Sequence, residues 1–156
     1  VEEVSAAIGT DRVGVRLSPF GQYGGIRDSD PHSLFTFVIE ELSQRGIAYL
    51  HLIEAKGSEM GWTDELHENA VNNLALFRGV FSGPFISAAA YTPESAVAAI
   101  ENNHADAIAF GRLFIANPDL VTRIKGSHPL NGYDRSTFYG GGEHGYTDYK
   151  SLAEVA

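Results

Sequence analysis

Two adjacent residues, Gly111 and Arg112, form the pair in this chain best suited to hold an anion. They follow an apolar run of strand length, Ala107-Ile108-Ala109-Phe110, which stops abruptly at them. The glycine lets backbone approach a ligand, the two N–H groups donate, and the arginine supplies a fixed cation. Further on, Asn117 reads as the N-cap of a short helix with Pro118 at its first position. A strand end beside a helix N-terminus suits a phosphate. The same residues also read as a tight βα turn with a solvated arginine.

Arg16 is the second residue that invites chemistry. Side chains alternate along a strand, so Gly14, Arg16 and Ser18 share one face while Val13, Val15 and Leu17 share the other. An arginine on an otherwise apolar strand needs an anionic or carbonyl-rich partner, and an ion pair with one of the many acidic groups is the plain alternative. His51 also interrupts an apolar strand, with Tyr49 and Ile53 on its face, and reads as a satisfied core histidine. The remaining histidines have no metal-ligand spacing, so no metal site is expected.

Composition narrows the function classes. The chain has 156 residues, 44% of them hydrophobic, enough for one domain core. A net charge of −9 and the lack of a basic run interleaved with aromatics argue against nucleic acid as a partner. There is no cysteine, hence no disulfide framework and no thiolate metal site. No apolar stretch approaches the roughly 20 residues that span a bilayer, so no membrane partner is expected. The first residues, Val1-Glu2-Glu3-Val4, do not read as a signal peptide, and a cytoplasmic location is expected.

Strands and helices must alternate to position these residues. Val1, Val4 and Ile8 recur at helical spacing and end at Gly9, which reads as the last turns of a helix in a chain cut from something longer. The predicted strands are Val13–Leu17, Ile47–Ile53, Pro84–Ala88 and Ala107–Phe110. Between them, a helix marked by Leu34, Phe37, Val38, Glu41 and Leu42 takes its cap from Asp30 or Ser33 and ends near Gly46. A second runs through Ala70, Leu74 and Phe77, after a polar loop from Glu54 to about Asp64. A third opens at Thr92-Pro93, with Val97 and Ile100 as its buried stripe. Four βα units in sequence call for a parallel sheet with right-handed crossovers.

Two α/β architectures accommodate four such units. One is a small open doubly wound sheet with its ligand at a switch point. The other is half of a (β/α)8 barrel, a fold that normally takes about 250 residues. Polar residues cluster just after the strands, where barrel active sites lie, and the last two strands end at Ala88-Ala89-Ala90 and at Gly111-Arg112. Barrel phosphate sites often follow strands seven and eight, near a short extra helix, which favours the half-barrel.

Several segments, in order, resemble one family. They are Val13-Gly14-Val15-Arg16-Leu17-Ser18-Pro19, Tyr49-Leu50-His51-Leu52-Ile53-Glu54, and Phe110-Gly111-Arg112 with Ala116-Asn117-Pro118-Asp119-Leu120. The tail adds Pro129-Leu130-Asn131 and the run from Thr137 through Tyr139 and Gly140 to Tyr149. Together they are similar to the Old Yellow Enzyme family of flavin-dependent ene-reductases, in particular to bacterial members that reduce activated alkenes and nitrate esters. The resemblance implies a (β/α)8 TIM barrel of which residues 1–156 are the C-terminal half, strands five to eight. It implies FMN as cofactor, NADPH or NADH as hydride donor, and α,β-unsaturated carbonyls, nitro compounds or nitrate esters as small-molecule substrates.

Residue by residue, Arg16 matches the arginine near the flavin pyrimidine edge, and Gly111 and Arg112 match the pair that binds the FMN phosphate. Ala88 and Ala89 fall where the family offers backbone amides to the same phosphate. The family often has glycine at the position of Ala89, so alanine is strained there if φ must be positive. Tyr139 matches an aromatic residue beside flavin and substrate. No catalytic residue is assigned to this chain. The resemblance places the flavin-tuning Thr or Cys, the ring-contacting Gln, the substrate-binding His/Asn or His/His pair and the Tyr proton donor in the first half of the barrel.

Four parallel strands alone leave two open edges and an apolar half-core. A partner is therefore expected, either a complementary N-terminal half-barrel or a copy of the chain itself. The competing reading is a non-catalytic half-barrel fragment that self-associates and at most binds a phosphate-type anion.

Overall fold

A computed structural model describes residues 1–21, 25–56 and 70–154. The tip of the predicted loop at Gln22-Tyr23-Gly24 and most of the polar loop after Glu54 lie outside them. The chain divides into two compact units, Val1–Ala109 and Phe110–Ala156.

The first unit carries α1 (Glu2–Ile8), β1 (Gly14–Leu17), α2 (Pro31–Gln44), β2 (Tyr49–Ile53), α3 (Asn73–Phe77), β3 (Phe85–Ala88), α4 (Pro93–Glu101) and β4 (Ala107–Ala109). All four predicted strands form, and they pair in parallel in the order β1-β2-β3-β4. The order never reverses, so this sheet has no topological switch point of the doubly wound kind.

Local chemistry starts and stops the helices. Asp30 caps α2, its carboxylate accepting the Ser33 N–H at 3.1 Å, with Pro31 at the first position. After the helix, Gly46 takes φ 62°, the left-handed exit that glycine tolerates. Thr92 and Ser95 close a capping box at the start of α4. Asn72 caps α3, which begins at Asn73, so Ala70 precedes the helix instead of lying in it.

The sheet has one sealed face. Val13, Leu50, Leu52 and Phe85 pack with Ile39 and Leu42 of α2, Leu74 and Phe77 of α3, and Phe81, while Val15, Leu17 and Ile108 lie against the same cluster. These strand residues share one parity, so the opposite parity is left for the other face. On α4 the buried residues are Ala96 and Ala99, whereas Val97 and Ile100 are 46% and 39% exposed. The predicted stripe is therefore displaced by one residue. Two alanines bring the helix backbone close to its neighbours, and the larger β-branched side chains point outward.

The second unit holds α5 (Arg112–Ala116) and α6 (Leu120–Lys125), followed by an irregular tail with short 3-10 turns at Arg135–Thr137 and Leu152–Glu154. Here the predicted cap is corrected. Asn117 ends α5 instead of starting a helix, and Asp119 stands at the N-cap of α6. The Asn117 side chain is fully buried, donates to the Leu113 carbonyl at 2.9 Å and accepts the Asn131 N–H at 2.7 Å. A buried amide with two backbone partners is worth more than a solvent-facing cap, because leaving it unpaired would carry its full desolvation cost. Among the described residues, no helix is long and apolar enough to cross a membrane.

Phe77 is completely buried and stacks on Phe20 and His32. Phe77→Ala should therefore lower unfolding stability by about 3–5 kcal/mol, read by chemical denaturation. A loss below 1 kcal/mol would mean that α3 does not seal the sheet.

Candidate functional site

In the first unit, the sheet face away from the helices carries Gly14 and Arg16 of β1, Tyr49, His51 and Ile53 of β2, Ile86 and Ala88 of β3, and Ala107 and Ala109 of β4. Gly14 is opposite Tyr49, and a Cβ there would collide with the tyrosine ring. Arg16 is directly opposite His51. The arginine is exposed, and among the described residues it has no ion pair, so the alternative of a carboxylate partner is not seen there.

His51 is half-buried, and its Nε2 has no hydrogen-bond partner among the described residues. The satisfied core histidine expected from the sequence is corrected on this point. Burial first, and the neighbouring Arg16 charge second, push its pKa below the usual 6.5. A neutral imidazole therefore lies beside an exposed guanidinium on this face.

Beyond the end of β3 the chain turns sharply. Ala89 and Ala90 take φ 80° and 61°, consecutive left-handed residues that are not glycine. Each such conformation costs about 1–3 kcal/mol and persists only where its surroundings enforce it. Among the described residues, the N–H groups of Ala89 and Ala90 have no acceptor. Neighbouring amide donors on a tight turn form an anion-binding concavity.

A buried polar cluster that the sequence did not single out lies against this turn. The Glu54 N–H donates to the Ala88 carbonyl at 2.8 Å, and the Ser87 hydroxyl donates to Glu54 Oε1 at 3.0 Å. The Tyr91 hydroxyl in turn donates to Ser87 Oγ at 2.9 Å. Glu54 is only 3% exposed, and its Oε2 has no partner among the described residues. Burial raises its pKa above the usual 4.5, and the Ser87 hydroxyl bond and the Lys56 charge lower it part of the way back. The one signal in the sequence was an acidic residue immediately after an apolar strand. Its side-chain partner Ser87 is 33 positions away, with no spacing rule to reveal it.

In the second unit, Gly111 is the N-cap of α5 and Arg112 its first residue. A helix not expected from the sequence thus begins at the Gly-Arg pair itself, and the short helix expected after Pro118 is α6. A Cβ at Gly111 would meet nothing within 4 Å, and its φ of −96° is open to any residue. The Arg112 guanidinium lies 5.9 Å from the centre of the Tyr133 ring, a cation–π distance, so the arginine is not merely solvated. Arg123 is buried, pairs with Asp119 at 2.7 Å and donates to the carbonyls of Pro129 and Lys150, which fastens the tail to α6. Tyr139 is 85% exposed and meets the Phe138 ring edge-on at 6.3 Å.

Within the first unit, the sheet register thus orders Arg16 and Ala88, with Ala89 immediately after. Within the second, Gly111 and Arg112 are adjacent at a helix start. Among the described residues, no three His, Asp or Glu side chains gather as metal ligands.

Residues 1–131 match the NADH:flavin oxidoreductase / NADH oxidase family. The chain is 42% identical over 157 residues to 12-oxophytodienoate reductase 2 of Arabidopsis thaliana, a match covering 100% of this chain and 41% of that protein. Among solved structures it is similar to morphinone reductase, with a TM-score of 0.84 at 38% identity, over 99% of this chain and 40% of that one. The old yellow enzyme from Trypanosoma cruzi gives a TM-score of 0.85 at 36% identity, over 97% and 38%. A morphinone reductase in complex with tetrahydroNAD gives 0.81 at 41% identity, over 97% and 39%. The chain thus spans about two fifths of the length of these relatives. Their architecture is an α/β barrel, and the four parallel strands correspond to part of one.

The buried Glu54 makes stability depend on pH. Its folded pKa is raised, so the native state holds the proton more tightly than the unfolded chain does. The stabilisation is present below about pH 4.5 and is lost as pH rises through the folded value. Glu54→Gln keeps an oxygen acceptor for Ser87 but carries no charge. It should be more stable than the parent at pH 8 and nearly equal to it at pH 4, by denaturant midpoints. The opposite pH trend would show that the carboxylate is stabilised in the fold.

Proposed function

The chain belongs to the NADH:flavin oxidoreductase / NADH oxidase family, that of the Old Yellow Enzymes, and we propose that it forms strands five to eight of an FMN-dependent barrel that reduces activated alkenes. The observation that carries this reading is the turn after β3, where two adjacent amides without acceptors follow a strand end. This donor set fits a phosphate, and the exposed Arg16 fits a group that gains negative charge.

Bound FMN would supply hydride transfer from NADPH or NADH to the electron-poor alkene. Ala89 and Ala90 would offer their adjacent backbone amides to its phosphate, with Ala88 as the strand residue that leads into the turn. In the second unit, Gly111 and Arg112 have the N–H groups and guanidinium that suit a phosphate. Arg16 would stabilise the negative charge that develops on the flavin pyrimidine when it is reduced. His51, held neutral beside it, adds no second positive charge to that face. Tyr139 would line the substrate side. The remaining length of the relatives would supply strands one to four, the substrate-binding pair and the proton donor, from the same polypeptide or from a complementary chain. Closure into eight strands would remove the two sheet edges.

The experiment is flavin binding by the full-length protein. A yellow protein that oxidises NADPH or NADH in the presence of an α,β-unsaturated carbonyl is expected. A colourless protein that binds only inorganic phosphate would favour the non-catalytic half-barrel. Arg112→Ala removes a charge-assisted contact and should weaken FMN by about 1.5–3 kcal/mol, roughly ten- to a hundredfold, by flavin fluorescence titration. Unchanged affinity would remove Arg112 from the phosphate site.

Arg16→Met should lower the reduction potential of bound flavin, because the cation that favours the reduced form is gone, while Arg16→Lys should retain most of it. Redox titration against a reference dye reads the shift. A potential that stays or rises in the Met variant would contradict the role of Arg16.

A further inference from the structure

The left-handed turn at Ala89–Ala90 is unfavourable for alanine, so something in the fold must hold it. Ser87 precedes the three alanines and Tyr91 follows them, and their side chains join at 2.9 Å. The hydrogen bond therefore closes a loop around Ala88, Ala89 and Ala90. Glu54 grips the same segment from β2. Its N–H bonds the Ala88 carbonyl, while its carboxylate accepts the hydroxyl of the preceding residue, Ser87. Ser87 is fully buried and Glu54 nearly so, which shields both bonds from competing water. Burial also raises the pKa of Tyr91, so its hydroxyl keeps the proton it donates.

We propose that Glu54, Ser87 and Tyr91 form a clasp that holds the Ala89–Ala90 turn in its phosphate-binding conformation, which makes them positioning residues for FMN. This rests on the reading of the turn amides that follow Ala88, those of Ala89 and Ala90, as phosphate ligands. The effect of the clasp is confined to the phosphate end of the cofactor. A glycine at position 89 would ask less of the clasp, because glycine enters the left-handed region without strain and only Ala90 would remain to be held.

The test compares FMN with riboflavin, which lacks the phosphate, in the full-length protein. Ser87→Ala and Tyr91→Phe should each weaken FMN roughly five- to tenfold and leave riboflavin unchanged. In flavin-free protein, amide hydrogen exchange across residues 88–91 should quicken in the two weakened variants. Adding Ala89→Gly to Ser87→Ala should recover much of the lost FMN affinity, an effect that general destabilisation would not produce. If Ser87→Ala fails to fold, Tyr91→Phe still breaks the loop while keeping the buried Ser87–Glu54 pair. FMN-to-riboflavin ratios equal to the parent's in both variants would overturn the clasp and leave the cofactor reading standing. Equal affinity of the parent for FMN and riboflavin would overturn the phosphate reading itself, and the clasp with it.

Discussion

Alternation along four parallel strands in fixed register is the constraint from which the rest of the first unit follows. Once Leu50, Leu52 and Phe85 are turned toward α2 and α3, His51 and Ile86 must face the other way, and register sets Arg16 beside His51. A slip of one residue in β1 would carry Arg16 into the apolar cluster, where an unpaired guanidinium is strongly disfavoured. The hydrophobic core thus places the charge. Both helices that seal the sheet lie on one side, which leaves a polar and aromatic face for other contacts.

The strand ends carry a second layer of organisation. Glu54 and Ala89 each lie one residue beyond their strands, and at that point the regular ladder gives way to side-chain bonding. The Glu54–Ser87–Tyr91 chain brings a carboxyl group into the interior at a cost in desolvation. That cost falls beside the only two consecutive left-handed alanines among the described residues. Strain and a buried ionisable group at one strand end mark a place where the fold gives up stability for a defined backbone shape.

The second unit uses polar ties in place of a large apolar core. Asn117 and Asn131 bond each other's backbone segments, and Arg123 gathers Asp119 with the carbonyls of Pro129 and Lys150. These bonds fix an irregular tail to two short helices. Helices of five and six residues have little stability of their own, so the tail is part of what holds them.

Much of the architecture is legible in the amino-acid order, because its signals are local. Apolar runs with flanking Gly and Pro mark all four strands, Asp30 and Thr92 are side-chain caps a few residues from the amides they satisfy, and Gly46 ends its helix by its own backbone freedom. The family pattern around Arg16 and Gly111-Arg112 is likewise written in contiguous residues. Local signals failed where a distant partner competed. Asn117 has the chemistry of an N-cap, yet Asn131 captures its amide, and Val97 and Ile100 have the larger apolar side chains, yet Ala96 and Ala99 allow the closer approach. His51 and Glu54 are polar residues whose protonation depends on what buries them, which no spacing encodes. Amino-acid order alone therefore determined the parallel α/β units, their helix caps at Asp30 and Thr92, and the residue types available to bind an anion. Only the tertiary structure decided that Ala89 and Ala90 are left-handed and that Glu54, Ser87 and Tyr91 close around them. Those features arise from hydrogen bonds between strands that fold together, and they exist only once β2 and β3 are in register.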